Sequence, residues 1–109
     1  MKRFLLTAAC LAATLMASGN ALAKGDKAHG RTMVYTCHGC HGVPGYENAY
    51  PNYRVPRIAG QNYQYLKTAL NEYRNGNRSH PTMQAQAQSL SEQDIDDIAT
   101  YLSGLKPAK

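Results

Sequence analysis

The chain has 109 residues and a net charge of +5, with one Phe and no Trp. This length allows a single domain, and the positive charges are scattered instead of forming a block, which argues against a nucleic-acid partner. Beyond residue 23 the charge falls to about +3, because ten Lys and Arg residues face seven Asp and Glu residues. An acidic protein partner, attracted by scattered Lys and Arg, fits this balance better.

The first residues have the pattern of a secretory signal peptide. Lys2 and Arg3 precede an apolar run over residues 4–17, and Ala21-Leu22-Ala23 supplies a small-x-small cleavage site. We expect residues 1–23 to be removed after about Ala23 and residues 24–109 to form an exported, periplasmic domain. The apolar run is short for a transmembrane helix, so we expect no membrane span after cleavage. Retention as an uncleaved anchor is the alternative.

Residues 27–36 are predicted to form a helix capped by Asp26, and this helix leads into Cys37-His38-Gly39-Cys40-His41. Two thiols separated by two residues and followed by an imidazole form the attachment pattern of c-type haem. Each thiol can bond to one vinyl group of the porphyrin. His41 then lies under the ring as an axial ligand of the iron.

The two thiols have other possible uses. A redox dithiol, half of a zinc site or a disulfide can all be built from such a pair. A thioredoxin-like fold needs apolar strands, which the chain lacks, and His29, His38 and His80 do not have the spacing of zinc ligands. A mature part of about 86 residues has a small core and also needs a covalent link or a bound cofactor to stabilise it. The pattern therefore favours one covalent haem c.

Residues 42–56 are rich in Pro, Gly and Tyr and are predicted to form a loop. Tyr46, Tyr50 and Tyr53 either pack against the porphyrin edge or form a docking surface. Residues 61–75 are predicted to be helical, because apolar residues recur at i, i+3, i+4 and i+7. Residues 78–88 are polar and are predicted to form a loop.

The last predicted element is a helix that Ser91 caps. Asp94 stands at its third position, and Leu90 and Ile95 form a hydrophobic staple. Its buried stripe repeats at helical spacing, and Gly104 and Pro107 end it. The stripe consists of Ile95, Ile98, Ala99 and Leu102.

The sixth iron ligand can be argued by elimination. Met33 lies one helical turn before Cys37, on the same side of the haem as His41, and is expected to fill the core. Met83 lies in the predicted polar loop, which offers no apolar core for a methionine to pack into. We therefore expect its thioether to bind the iron and raise the reduction potential. His80 is the rival ligand and implies a lower potential.

In these features the chain resembles the class I c-type cytochromes, and among them the small bacterial cytochromes of the cytochrome c-four subgroup. The resemblance runs from about residue 25 to residue 105. It rests on the haem motif, on Leu90-Ser91 before the last helix, on Met83, and on four further stretches: Pro56-Arg57-Ile58-Ala59-Gly60-Gln61, Tyr65-Leu66, Tyr73-Arg74-Asn75-Gly76 and Ile98-Ala99-Thr100-Tyr101-Leu102.

The resemblance implies an all-α class I cytochrome c fold, with three main helices and loops wrapped around one covalent haem. It implies that the carbonyl of Pro56 accepts a hydrogen bond from His41, that Ile58 packs on the haem, and that Met83 is the distal ligand. It also places Gly30 where the first and last helices cross, with Tyr101 close by. Many members of the subgroup carry two haem domains, whereas this chain has one.

The expected function is single-electron transfer in the periplasm, with no substrate bond made or broken. Redox partners are expected to dock transiently at an exposed haem edge beside Cys37 and Cys40. One alternative is a haem-carrying subunit of a periplasmic dehydrogenase or oxidase complex. Another is a gas-binding haem protein, which needs an open iron position.

Overall fold

The computed structural model describes residues 25–43 and 55–107. In these ranges the chain forms helices and no strand, which confirms the all-α class. The helices are α1 (Lys27–Met33), α2 (Tyr35–His41), α3 (Tyr63–Asn75), α4 (Pro81–Gln88) and α5 (Glu92–Ser103). Two predictions lie outside the described residues: the signal peptide over residues 1–23, and the roles of Tyr46, Tyr50 and Tyr53. None of the described helices combines the length and the apolar character that crossing a membrane requires.

The prediction of a single helix over residues 27–36 is wrong. Asp26 does cap α1, accepting from the backbone N–H groups of Ala28 and His29, but α1 ends at Met33 and α2 then continues through the haem motif. Val34 lies at the junction and is fully buried in the core. Burial of this side chain stabilises the junction, which helical periodicity alone does not indicate.

Helix α1 packs across α5, and Gly30 makes the crossing possible. A Cβ atom on Gly30 would lie 2.0 Å from the backbone oxygen of Asp97 and 2.9 Å from the Cβ of Tyr101. Only a residue without a side chain allows the two backbones to approach this closely. The predicted position of Gly30 at the crossing is confirmed.

Helix α5 is the apolar wall against which α1 and α3 pack. It begins as predicted, because Ser91 accepts from the N–H of Asp94 and the Asp94 carboxylate accepts from the N–H of Ser91. The four residues of its predicted stripe are all buried. They belong to a core that also includes Val34, Val43 and Leu66.

Helix α4 occupies a stretch that was expected to be a loop, so that expectation is wrong. His80 caps the helix and Pro81 occupies its first position, a place where a missing N–H costs nothing. Its inner side carries Met83 and the fully buried Ala87, followed by Leu90. The i, i+4, i+7 spacing of these three residues was the available signal, obscured by the glutamines between them.

Candidate haem-binding site

A cavity of about 270 Å³ opens between α2, α3 and α4, with α5 behind it. Its walls are mainly apolar. Ligand sites in proteins are typically concave, mostly apolar and of this order of size. The cavity therefore suits an apolar occupant. All six sequence-predicted site residues line it, namely Cys37, Cys40, His41, Pro56, Ile58 and Met83.

Helix α2 brings Cys37, Cys40 and His41 to the same side of the cavity. The two cysteines are free thiols, Cys37 half-buried and Cys40 exposed. Burial raises the pKa of the Cys37 thiol above its ordinary value, so this group stays protonated at neutral pH. Gly42 ends the helix directly after His41 in a left-handed conformation, with φ of 59°, which favours glycine.

The His41 ring has a defined orientation. Its Nδ1 lies 2.6 Å from the carbonyl oxygen of Pro56. Because a carbonyl can only accept, Nδ1 carries the ring proton and the lone pair of Nε2 stays available for a metal. Pro56 and Ile58 lie on the segment that leads into α3, and both line the cavity beside His41.

Helix α4 contributes Met83 and His80 to the cavity lining. Met83 is half-buried there. Nδ1 of His80 accepts from the backbone N–H of Met83 at 3.3 Å, so in the neutral ring the proton is on Nε2. In this arrangement the Nε2 of His80 is a hydrogen-bond donor and has no lone pair for a metal. The thioether of Met83, which needs no deprotonation, can bind one.

Several lining residues were not singled out as site residues from the sequence. Met33 was expected to be core filler, and it both packs against the core and lines the cavity. Tyr65, Tyr73 and Arg78 form a polar corner of the lining. No motif distinguishes Arg78, which lies in a short polar stretch between two helices. Its proximity to the site depends on how α3 and α4 pack together.

The set of donors suits an iron porphyrin. Two thiols at vinyl-bridging spacing, an imidazole with a free Nε2 and a thioether all face one largely apolar cavity. Nowhere in residues 25–43 and 55–107, this cavity included, do three His, Cys, Asp or Glu side chains stand close enough to hold a bare metal ion. The residues present therefore fit a covalently attached haem.

Comparisons with known proteins agree with this geometry. The cytochrome c family model matches residues 27–106. Cytochrome c4 of Pseudomonas aeruginosa is 38% identical over 93 residues, covering 85% of this chain and 45% of that protein. Cytochrome c-554(548) of Halomonas halodenitrificans is 40% identical over 82 residues, covering 72% of this chain and 95% of that protein.

A third relative is named for a complex. The cytochrome subunit of sulfide dehydrogenase from Chlorobaculum tepidum is 30% identical over 102 aligned residues, covering 84% of this chain and 89% of that protein. The lengths covered differ among these relatives. The chain spans about half the length of the cytochromes c4 it matches, and nearly the full length of the other two proteins.

Proposed function

The chain belongs to the cytochrome c family, whose cofactor is a covalently bound haem, and we propose that it carries single electrons between redox proteins of the periplasm. The observation that supports this proposal is the cavity that brings Cys37, Cys40, His41 and Met83 together. The haem iron supplies a one-electron couple between its ferrous and ferric states. The chain itself is proposed to make and break no substrate bond.

In the proposed ligation, Cys37 and Cys40 hold the haem through thioether bonds, and His41 and Met83 bind the iron. The carbonyl of Pro56 accepts the Nδ1 proton of His41 at 2.6 Å. This bond orients the ring and increases the basicity of Nε2. Binding of the iron by the Met83 thioether together with the His41 imidazole would favour the reduced state. If His41 and Met83 are both bound, the iron would have no open position for a small molecule.

His80 is disfavoured as the sixth ligand by its hydrogen bond. Iron binding through Nε2 requires the proton on Nδ1, and a protonated Nδ1 cannot accept from the N–H of Met83. Iron binding by His80 and capping of α4 therefore exclude each other. This argument favours Met83 over His80 independently of the elimination from the sequence.

Absorption spectra of the purified protein in both redox states test the cofactor and its ligation. We expect a covalent c-type haem with the weak far-red band of methionine-bound ferric iron. Met83→Ala should abolish this band, and His80→Ala should keep it. Ready binding of carbon monoxide to the reduced wild-type protein at neutral pH would contradict ligation by Met83 and favour a gas-binding protein.

For the location, the proposal rests on the pattern of the first residues. Residues 1–23 act as the signal peptide, and residues 24–109 form the cytochrome c domain. The mass of the protein purified from a periplasmic fraction tests this boundary. A chain that begins at Lys24 with one haem attached is the expected result, and a chain that keeps residues 1–23 contradicts cleavage.

For the partners, we propose transient docking at the haem edge beside Cys37 and Cys40, where Cys40 is exposed. Lys and Arg residues attract an acidic partner over distances that salt screens. Electron-transfer rates with such a partner should therefore fall as the ionic strength rises.

The second candidate is a haem subunit of a periplasmic dehydrogenase or oxidase. The match to the cytochrome subunit of sulfide dehydrogenase, over most of both chains, favours it specifically. Gel filtration of a native extract distinguishes the two. Elution at the size of the domain alone supports a free carrier, and stable co-elution with a larger subunit supports the complex.

A further inference from the structure

Arg78 differs from every other residue of the cavity lining. Among the described residues that form the walls, it is the only one with a permanent charge. The remaining lining consists of apolar, aromatic and neutral polar side chains, together with two histidines and two cysteines. Arg78 is exposed at the edge of this cavity, so its charge is solvated and accessible to an anionic group of an occupant.

Two tyrosines of α3 hold this guanidinium. Its central carbon lies 4.8 Å from the centroid of the Tyr73 ring, within the range of a cation–π contact. Its Nη1 lies 3.5 Å from the hydroxyl oxygen of Tyr65. Tyr65 is 50% exposed, so this corner is the mouth of the cavity. Stacking and hydrogen bonding together reduce the rotamer freedom of Arg78.

The donors of Arg78 are only partly used by this contact. A guanidinium has five N–H groups in a planar fork, and the hydrogen bond to Tyr65 uses one of them. The fork matches the two oxygens of a carboxylate. A haem is an apolar disc whose anionic groups are its two propionates. When the disc fills the apolar part of the cavity, its carboxylates need a polar edge.

We propose that Arg78, held by Tyr65 and Tyr73, binds a propionate of the haem at the mouth of the cavity. This inference rests on the proposed function, because it takes a haem as the occupant. Arg78 acts here as a positioning residue. Its charge compensates the carboxylate, and the pair limits movement of the ring within the cavity. An uncompensated carboxylate near the iron would stabilise the ferric state, so Arg78 raises the reduction potential.

Resonance Raman spectroscopy of the holoprotein tests this contact directly, because the propionate bending band moves to lower frequency when a hydrogen bond to the carboxylate is lost. We expect Arg78→Gln to lower this frequency and Tyr65→Phe to lower it less, since Tyr65→Phe only loosens the guanidinium. Arg31→Gln is the matched control, because it removes one positive charge from an exposed position on α1 outside the cavity lining.

The reduction potential supplies a second readout. It should fall in Arg78→Gln by more than in Arg31→Gln, and the far-red band should persist in both variants. If Arg78→Gln does not incorporate haem, Arg78→Lys and Tyr65→Phe decide, and both are expected to lower the bending frequency.

The inference is wrong if the bending band stays at the wild-type frequency in a haem-loaded Arg78→Gln protein, or in both fallback variants. An unchanged band combined with slower electron transfer to a partner at low salt would assign Arg78 to partner docking, which also overturns it. Absence of a c-type spectrum in the wild-type protein would instead refute the proposed function.

Discussion

Asp97 is a buried carboxylate that joins the start of the domain to α5. It accepts from the backbone N–H of Asp26 at 2.6 Å, from Nδ1 of His29 at 2.6 Å and from Nε2 of Gln93 at 2.7 Å. Burial raises the pKa of this carboxyl, but the bonds from His29, Gln93 and Asp26 together hold it below its ordinary value. The charged form is therefore the stable one in the folded protein.

His29 makes the stability of this joint depend on pH. Its hydrogen bond to Asp97 raises the pKa of the imidazole above its ordinary value. The stabilisation is complete below about pH 6.5, the unfolded-state pKa of histidine, and is lost as the pH rises through the higher folded-state pKa. We expect the free energy of unfolding to decline as the pH rises above about 6.5. Chemical denaturation at a series of pH values measures this decline.

His29→Gln should remove this decline, because glutamine does not titrate. Arg31→Gln, another exposed cation of α1, should retain it. An unchanged pH profile in His29→Gln would show that another group causes the decline. At the acid end, stability from Asp97 is present above its unfolded-state pKa of about 3.9 and is lost as the pH falls through its lowered folded-state pKa.

Gly30 and Gly39 allow a matched test of close packing. A Cβ on Gly30 would meet backbone and side-chain atoms of α5, whereas a Cβ on Gly39 would meet nothing within 4 Å. Gly30→Ala should lower the free energy of unfolding by about 3 kcal/mol or more through overpacking. Gly39→Ala should be neutral or stabilise by up to about 1 kcal/mol, because alanine favours the helix. Equal effects of the two changes in denaturant titrations would contradict this account of the crossing.

At the scale of elements, the corner between α4 and α5 is held by Arg74 of α3. Its guanidinium donates to the backbone oxygen of Leu90 at 3.2 Å and to the side-chain oxygen of Asn71 at 2.7 Å, and it pairs with Glu92. Arg74 is mostly buried, whereas the Glu92 side chain is 70% exposed. The bond to the Leu90 carbonyl therefore carries more of the stabilisation than the ion pair does.

The matched pair of variants is Arg74→Met and Glu92→Gln. Arg74→Met keeps the apolar stem but removes all donors, and we expect a loss of about 2 kcal/mol in the free energy of unfolding. Glu92→Gln should cost less than about 0.5 kcal/mol, because an exposed ion pair contributes little. If both changes cost the same in thermal and chemical unfolding, the ion pair is the important contact.

At the scale of the whole molecule, the haem is expected to supply much of the core. The described core cluster has six buried residues, Val34, Val43, Leu66, Ile98, Ala99 and Leu102, and the cavity lies against it. Without an occupant, the mainly apolar walls of this space of about 270 Å³ face solvent, and the hydrophobic stabilisation that their burial would give is lost. Folding of the domain and attachment of the haem should therefore be linked.

Replacement of both thiols tests this link. The double variant Cys37→Ser with Cys40→Ser should carry no covalent haem, lose most of its helical circular dichroism and unfold without a cooperative transition. Wild-type chain produced without haem should behave in the same way, which separates loss of haem from loss of the thiols. A cooperative transition with wild-type helicity in the double variant would show that the protein core suffices.

Features encoded by near neighbours were predictable from the sequence. The spacing of Cys37, Cys40 and His41 indicated the cofactor, and the resemblance supplied the expected contact of Pro56. The stripe of α5 and its cap at Ser91 were correct, because a cap or a 3.6-residue period depends on residues within a few positions of each other.

What only the tertiary structure decided depends on residues distant in the chain. Helix α4 has a polar sequence, and its inner side gains burial only where Met83 and Ala87 face α3 and the cavity. The carboxylate of Asp97 is buried only because α1 crosses α5 at Gly30, about seventy residues away along the chain. Arg78 reaches the cavity mouth only through its contacts with Tyr65 and Tyr73. Local patterns therefore determined the chemistry of the site, and long-range packing decided which further side chains surround it.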